Sequence, residues 1–454
     1  MAIITPIHPG IGLNCVTVLQ DAIDSASPGD TILIENSANN GESNEWILIS
    51  PTSGGAPTAE IAALNITVAD LIFNFQDDAY WMAGEDSFHP VYCSMIQARN
   101  IDGISFIFDN VNSGIRMRRA DYLGPYDQPG NLNINGYLAS EFRNCIAIFE
   151  CDDFYMEGGT LQLSGGDGLI IEGSQDSGTS ALQTPCHNVI VNDTIFSDNI
   201  RQGVSVISVD GLRLNRCQFN GSFGRPPQAG IDFEPWHPMA SLLDIVLTDC
   251  TGDNNASSAV YINTARMIKT AGSYPRPSHP IDITIIQTRA TGSTRDPWGI
   301  NYLAWEGETN GGTVKFIGLH TTNLKSAGIH ILWRVGSDVK LIFEDCVIDH
   351  VSDTSGEKPI EIKLYDEGVG STVGGIFFDK LAVIDDVDRK IVNVTNDATT
   401  RPSGGRCDCI SGLVLLEPDG FTPTVEQFDN TYPKLFHARL RKGLDTKNRR
   451  VSAI

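Results

Sequence analysis

Two short patterns recur seven times each along this chain and keep step with one another. The first is an alternating apolar run closed by a small or sulfur-bearing residue: "FYMEGGTL", "VIVNDTIF", "LRLNRCQF", "IVLTDCTG", "ITIIQTRA", "VKFIGLHT" and "LIFEDCVI". Its small positions are read as Gly159, Thr194, Cys217, Cys250, Thr288, Thr321 and Cys346, at spacings of 23 to 38 residues. The second pattern follows 7 to 13 residues later as "DGLIIEG", "QGVSVIS", "AGIDFEP", "SAVYINT", "WGINYLA", "AGIHILW" and "KPIEIKL". It is led by Gly168, Gly203, Gly230, Ala259, Gly299, Gly328 and Pro359. Strict alternation of apolar and other residues marks strands. Two strands per repeat, in step while the loops between them vary, describe a solenoid whose coils stack and whose length variation falls in the turns.

The expected fold is therefore all-β, a right-handed parallel β-helix with an N-terminal capping helix. A β-propeller would need four strands per blade and regular blades of about 40 residues, which the uneven spacing does not give. With 44 glycines and 22 prolines in 454 residues, the composition also favours many strands joined by turns. Cys217, Cys250 and Cys346 fall in one repeat column and are expected as small buried side chains, not as metal or redox groups. "VTVLQDAIDSASPGDTILI" predicts a short amphipathic helix with Val18, Leu19, Ala22, Ile23 and Ala26 on one face, then a Pro-Gly turn and a first strand. Residues 1–45 are expected to form this cap and the first turn, 46–400 the β-helix with long loops, and 401–454 a C-terminal cap and basic tail. Residues 50 to 130 are expected as loops leaning over one face. Cys407 and Cys409 lack a second cysteine pair, so no metal site is expected there. The run "GVGSTVGG" lacks the ending of a phosphate-binding loop and reads as a turn.

The "LQDAIDSASPGDTI" opening, followed by the strand repeats, resembles the pectin-lyase-like superfamily of carbohydrate-active β-helices across roughly residues 15 to 400. The resemblance implies the solenoid fold. It does not choose among the hydrolases, lyases, epimerases and virus tail depolymerases that share it.

The 56 acidic against 32 basic residues give a formal charge of -24, which repels nucleic acid and anionic membranes. Neither is an expected partner; a poly- or oligosaccharide is. No stretch is apolar over the ~18 residues that span a bilayer. "MAIITPIHPGIGLNC" shows no signal-peptide pattern, which is read as a cytoplasmic protein or a mature secreted form.

Strand register then sorts the side chains. In the second pattern Leu169, Val204, Ile231, Val260, Ile300, Ile329 and Ile360 are expected to point inward, so that two outward columns follow. The first holds Ile170, Ser205, Asp232, Tyr261, Asn301, His330 and Glu361. The second holds Glu172, Ile207, Glu234, Asn263, Leu303, Leu332 and Lys363. With rungs about 4.8 Å apart, Tyr261 stands beside Asp232, Asn263 beside Glu234, and His330 about 14 Å away. On this reading Asp232 and Glu234 share an outer face and need not be buried. Trp236 with His237, Trp305 with Glu306, Trp333 with Arg334, and Tyr365 with Asp366 end successive strands, where aromatic rings would line a groove for sugars. Arg201, with Asp198 and Asn199, lies in the turn before a neighbouring strand and would hold a substrate hydroxyl or an acid.

Glycoside hydrolysis needs an acid and a second carboxylate, about 5–5.5 Å apart when configuration is retained and about 6.5–9.5 Å when it is inverted. Asp232 and Glu234 are the expected catalytic pair. Glu234, before Pro235 and Trp236, is read as the acid, and Asp232 as the ionised base. Glu172, Glu306 and Glu361 are the reserve carboxylates. The expected function is a glycosidase that binds its glycan along the outer face and needs no cofactor. Two alternatives stay open. A lyase would cleave a uronic-acid polymer by β-elimination, drawing a base from Lys363, His330, Arg334, Tyr261 or Arg201 and a cation to neutralise the carboxylate, for which acidic residues could bind Ca²⁺. A non-catalytic or virion-associated protein would recognise glycans without cutting them, as a parallel homotrimer.

Overall fold

The computed structural model describes residues 1–36, 45–49, 61–124, 133, 135–137, 140–174, 184–236, 239–264, 267, 280–292, 298–304, 311–334, 339–352, 358–365, 375–396, 410–419 and 439–440. The chain winds as the right-handed parallel β-helix that the repeat predicts, each strand pairing in parallel with the strand one coil on. Each coil carries three strands where the sequence reading gave two. One coil runs through Cys186–Asn192, Ile195–Ser197 and Val204–Val206. The next runs through Val209–Asn215, Gln218–Asn220 and Ile231–Phe233. Among the described residues, the first two strands of each coil join a 24-stranded sheet and the third an 11-stranded sheet.

The extra strand arises because the first sequence pattern is two strands with a sharp bend between them. One residue in the left-handed backbone region makes each bend: Gly158, Asp193, Arg216, Asp249, Gln287, Gly318 and Asp345, with φ between 50° and 73°. Gly and Asp dominate because they enter this region at least strain. Alternation survives the bend, so a single run of sequence reads as one strand.

The small column after the bend is Gly159, Thr194, Cys217, Cys250, Thr288, Leu319 and Cys346. Thr321 lies two residues beyond it and pairs instead with Ala290 and Ile348. The cysteines fit because each buried thiol donates to a carbonyl of the preceding coil: Cys217 to Val191 at 3.4 Å, Cys250 to Leu214 at 3.4 Å and Cys346 to Phe316 at 3.5 Å. Aromatic ladders run through the same core, as Phe73 on Phe106 and Phe316 on Phe343.

Residues 61–116, expected as loops, form coils of the solenoid with Trp81, Phe73 and Phe106 fully buried. Bulky aromatics replaced the Val/Ile alternation there and hid the strands. A helix spans Val16–Ser25 and buries Leu19, Ala22 and Ile23. The large sheet continues through Ile410–Pro418. Cys407, Cys409 and residues 368–374 of the "GVGSTVGG" run lie outside the described residues.

Candidate functional site

The 11-stranded sheet carries the columns as the sequence orders them. Leu169, Val204, Ile231, Val260, Ile300, Ile329 and Ile360 pair rung to rung and are buried. Ile170, Ser205, Asp232, Tyr261, Asn301, His330 and Glu361 pair in the same way on the outer face. Facing outward does not expose them. Trp236 folds back over Ala147, Phe149, Ile170 and Ile207, so the outer face carries an apolar cluster of its own. Asp232, one rung beyond Ser205, is 0% exposed.

Arg201 organises the acids around it. Its Nη1 donates to Asp167 Oδ2 at 3.2 Å and its Nη2 to Glu234 Oε2 at 3.1 Å, while Nε lies 3.9 Å from Glu141 Oε2. Asn263, the rung neighbour of Glu234, donates to Glu234 Oε1 at 2.9 Å. Gln202 donates through Nε2 to Asp232 Oδ2 and to Ser205 Oγ, both at 2.8 Å. The other Asp232 oxygen, Oδ1, meets no donor among the described residues.

Burial, then the adjacent Glu234 carboxyl, hold Asp232 well above the usual carboxylate range, against the opposing pull of Arg201. Burial likewise raises Asp167 to about 6, against the lowering effect of Arg201. Tyr261 is raised by burial and by its two acidic neighbours. The environments therefore differ in the opposite sense to the sequence reading: burial raises Asp232, while Glu234 is ion-paired to Arg201 with 23% of its side chain exposed.

Further along the sheet, His330 and Asn301 occupy one another, with Nδ1 and Oδ1 at 3.1 Å. The His330 ring stacks on Trp298 at 4.5 Å, and its Nε2 is 4.0 Å from Glu361. Burial and nearby Lys363 bring its pKa down to about 4. Glu361 and Lys363 lie on the next strand, Ile360–Tyr365, four rungs from the Asp232 strand. Trp333 and Arg334 end the strand Ile329–Arg334. His237, Trp305, Glu306 and Asp366 lie outside the described residues. Asn199 is wholly buried, accepting from the Ser164 N–H, and Asp198 pairs with Arg119, so both serve the turn. Glu172 is buried as well.

Sequence reasoning missed Asp167, Gln202 and Glu141. A signal existed for the first two, because each immediately precedes a leading glycine of the repeat, Gly168 and Gly203. Glu141 precedes the strand Phe142–Phe149, whose register extends the inward column through Ile146 to Ile96, but this coil lies before the seven recognised repeats. Beside it, Phe142 stacks on Tyr92 with ring centres 4.7 Å apart and meets Trp236 edge-on at 5.8 Å.

No family model matches the sequence. No curated protein sequence matches it either. Among solved structures, the tailspike protein of E. coli bacteriophage HK620 in complex with a pentasaccharide is similar, with 14% identity and a TM-score of 0.57 over 90% of this chain and 64% of that one. A mutant of that tailspike with pentasaccharide gives 14% identity and a TM-score of 0.59. A family 28 exopolygalacturonase of Yersinia enterocolitica gives 12% identity and a TM-score of 0.49, over 97% of this chain and 77% of that one. The chain thus spans 64% of the tailspike. The likeness to the tailspike is one of fold, and it places this chain among the parallel β-helix proteins, the architecture that the pectin-lyase-like resemblance implied.

Proposed function

We propose that the protein is a glycosidase that hydrolyses a poly- or oligosaccharide bound on the outer face of its 11-stranded sheet. The observation that carries this reading is the arrangement at Arg201, which donates to Asp167 and to Glu234, with the buried Asp232 two residues before Glu234. Burial and the nearby Glu234 carboxyl hold Asp232 well above the usual carboxylate range, which favours its protonated form. Asp232 lies out of water, and Glu234 is the member that reaches solvent. On this reading the two supply the acid and the second carboxylate that glycoside hydrolysis needs, with Glu234 meeting the glycan. Arg201 fixes Glu234, and Asn263 orients its second oxygen. The tailspike's bound pentasaccharide adds support from fold alone.

The test is a mass-spectrometric product screen on laminarin, galactomannan, polygalacturonate and alginate, with D232N and E234Q beside the parent. Products carrying one added water per cut, lost in both variants, are the expected result. Unsaturated products that persist in the variants overturn it in favour of elimination.

A second reading is a glycan-binding rod without catalysis. Its specific support is that Asp232 is fully buried and that both Glu234 oxygens are engaged by protein donors. On that reading the chain binds a glycan and releases no product. Its parallel homotrimer would sediment at three times 49.3 kDa.

A further inference from the structure

The chain buries its aromatic residues, and Tyr92 departs from that rule. Among the described residues only two large aromatic side chains are exposed, Tyr92 at 39% and Phe377 at 38%. Phe377 belongs to the 24-stranded sheet, whereas Tyr92 opens the strand Tyr92–Arg99 of the sheet that carries Asp232. Its rung neighbour is Phe142, and the two rings stack at 4.7 Å with their planes 25° apart. Trp236, two residues past Glu234, meets Phe142 edge-on at 5.8 Å. Ser140 ties the two strand entries together: its Oγ donates to Val91 O and accepts the Phe142 N–H at 3.0 Å. Trp236 is held in turn by the apolar cluster beneath it. The three rings form a wall with one member exposed and two half-buried. A single exposed apolar side chain is ordinary, but contiguous rings rimmed by charged groups mark a contact surface.

The rim identifies the ligand. Glu141 directly precedes Phe142, and its side chain is 42% exposed. Arg201 Nε lies 3.9 Å from Glu141 Oε2, beyond hydrogen-bond reach, and has no hydrogen-bond partner among the described residues although the side chain is only 4% exposed. An open carboxylate and an unpaired buried N–H beside a ring wall supply an acceptor and a donor for hydroxyls that surround a flat apolar face, which is how a sugar ring is built. An apolar peptide side chain would leave both groups unmatched. Charge narrows the class further, because Asp167, Glu234 and Glu141 surround a single guanidinium. A uronic acid on the wall would bring its carboxylate against Glu141, a repulsion that an uncharged sugar does not meet.

Resting on the hydrolase reading for its place beside Glu234, we propose that Tyr92, Phe142 and Trp236 form a stacking subsite for an uncharged sugar ring, with Glu141 at its rim selecting against uronic acids. The glycan then passes from the wall, by Glu141 and Arg201, to Glu234.

The test is titration calorimetry of the full chain with laminarin and galactomannan, which are uncharged, and with polygalacturonate and alginate, which carry a carboxylate on every ring. The parent is expected to bind an uncharged polymer at least about fivefold tighter than either uronate. Y92A is expected to weaken that binding about tenfold, and Y92F, which keeps the ring, to stay within about twofold of the parent. E141Q is expected to narrow the gap between uncharged polymer and uronate by about fivefold, which a purely structural Glu141 would not do. Because Tyr92 is exposed, Y92A is expected to keep the circular dichroism and unfolding midpoint of the parent. Unchanged binding by Y92A, uronate binding as tight as that of the uncharged polymers, or no binding to any of the four overturns the subsite. An unchanged gap in E141Q overturns the selecting role of Glu141. Tyr92-dependent binding without product release leaves the subsite standing and overturns the hydrolase reading, and cleavage with the same KM in Y92A does the reverse.

Discussion

Asp232 is where function and stability oppose each other. Its carboxyl is held well above the usual range in the folded chain, whereas in the unfolded chain it ionises near pH 4. Above that pH the folded state binds a proton that the unfolded state has released, so the contribution of Asp232 to stability is greatest below about pH 4 and falls as pH rises. D232N keeps an acceptor for Gln202 without this linkage. Relative to the parent it is expected to gain up to about 1.4 kcal/mol per pH unit above pH 4, until the folded carboxyl itself ionises. Urea unfolding of both proteins at pH 4.5 and pH 7 checks this. An equal difference at the two pH values would mean that Asp232 is ionised in the folded protein. Asp167, raised to about 6, acts in the same direction. His330, lowered to about 4, acts oppositely: its contribution is present above about pH 6.5 and is lost as pH falls to 4.

At the scale of the strand, the leading glycines explain how one coil sits so closely on the next. A Cβ on Gly230 would stand 2.6 Å from the Ala259 carbonyl oxygen and 2.8 Å from Phe219 Cβ, and the carbonyl belongs to backbone that cannot step aside. Gly230 O also accepts the Gly203 N–H at 2.9 Å, so the position is clamped from both sides. Gly230→Val is expected to destabilise the protein by on the order of 1–3 kcal/mol and to displace Asp232, two residues on. Thermal unfolding together with product release measures both effects, and an unchanged midpoint would show that the coil has slack. The inward and outward columns were legible in the sequence because alternation is a local property with a period of two. The bend inside the first pattern was not, since one left-handed residue such as Arg216 turns the chain without disturbing the alternation. Thr321 was misplaced for a related reason: a small residue was sought where the column admits Leu319.

Over the whole molecule, the stacking of coils makes a continuous core that shelters every described cysteine. Cys15, Cys93, Cys145, Cys151, Cys186, Cys217, Cys250 and Cys346 are buried free thiols. Burial pushes Cys15 up to about 11 and Cys93 and Cys346 up to about 12, away from the reactive thiolate form. Of ten cysteines, at most two are therefore expected to react with a thiol reagent in the folded protein, and the other eight only on unfolding. More than two reacting rapidly under native conditions would show that coils open locally. Among the described residues no helix is long and apolar enough to cross a membrane.

The sequence by itself determined the rung order of the 11-stranded sheet, from Leu169 through Ile231 to Ile360, and therefore that Asp232 and Glu234 share one face with Tyr261 and Asn263 as rung neighbours. Those facts follow from strand periodicity and repeat spacing alone. Only the tertiary structure decided that this face is covered, that Asp232 is buried against Gln202, and that Arg201 gathers Asp167, Glu234 and Glu141. Burial and charge are set by groups brought together from different coils, and Trp236 covers Ile170 and Ile207 by folding back across the sheet. No local pattern encodes that return, so the chemical character of each carboxyl emerges only when the coils are stacked.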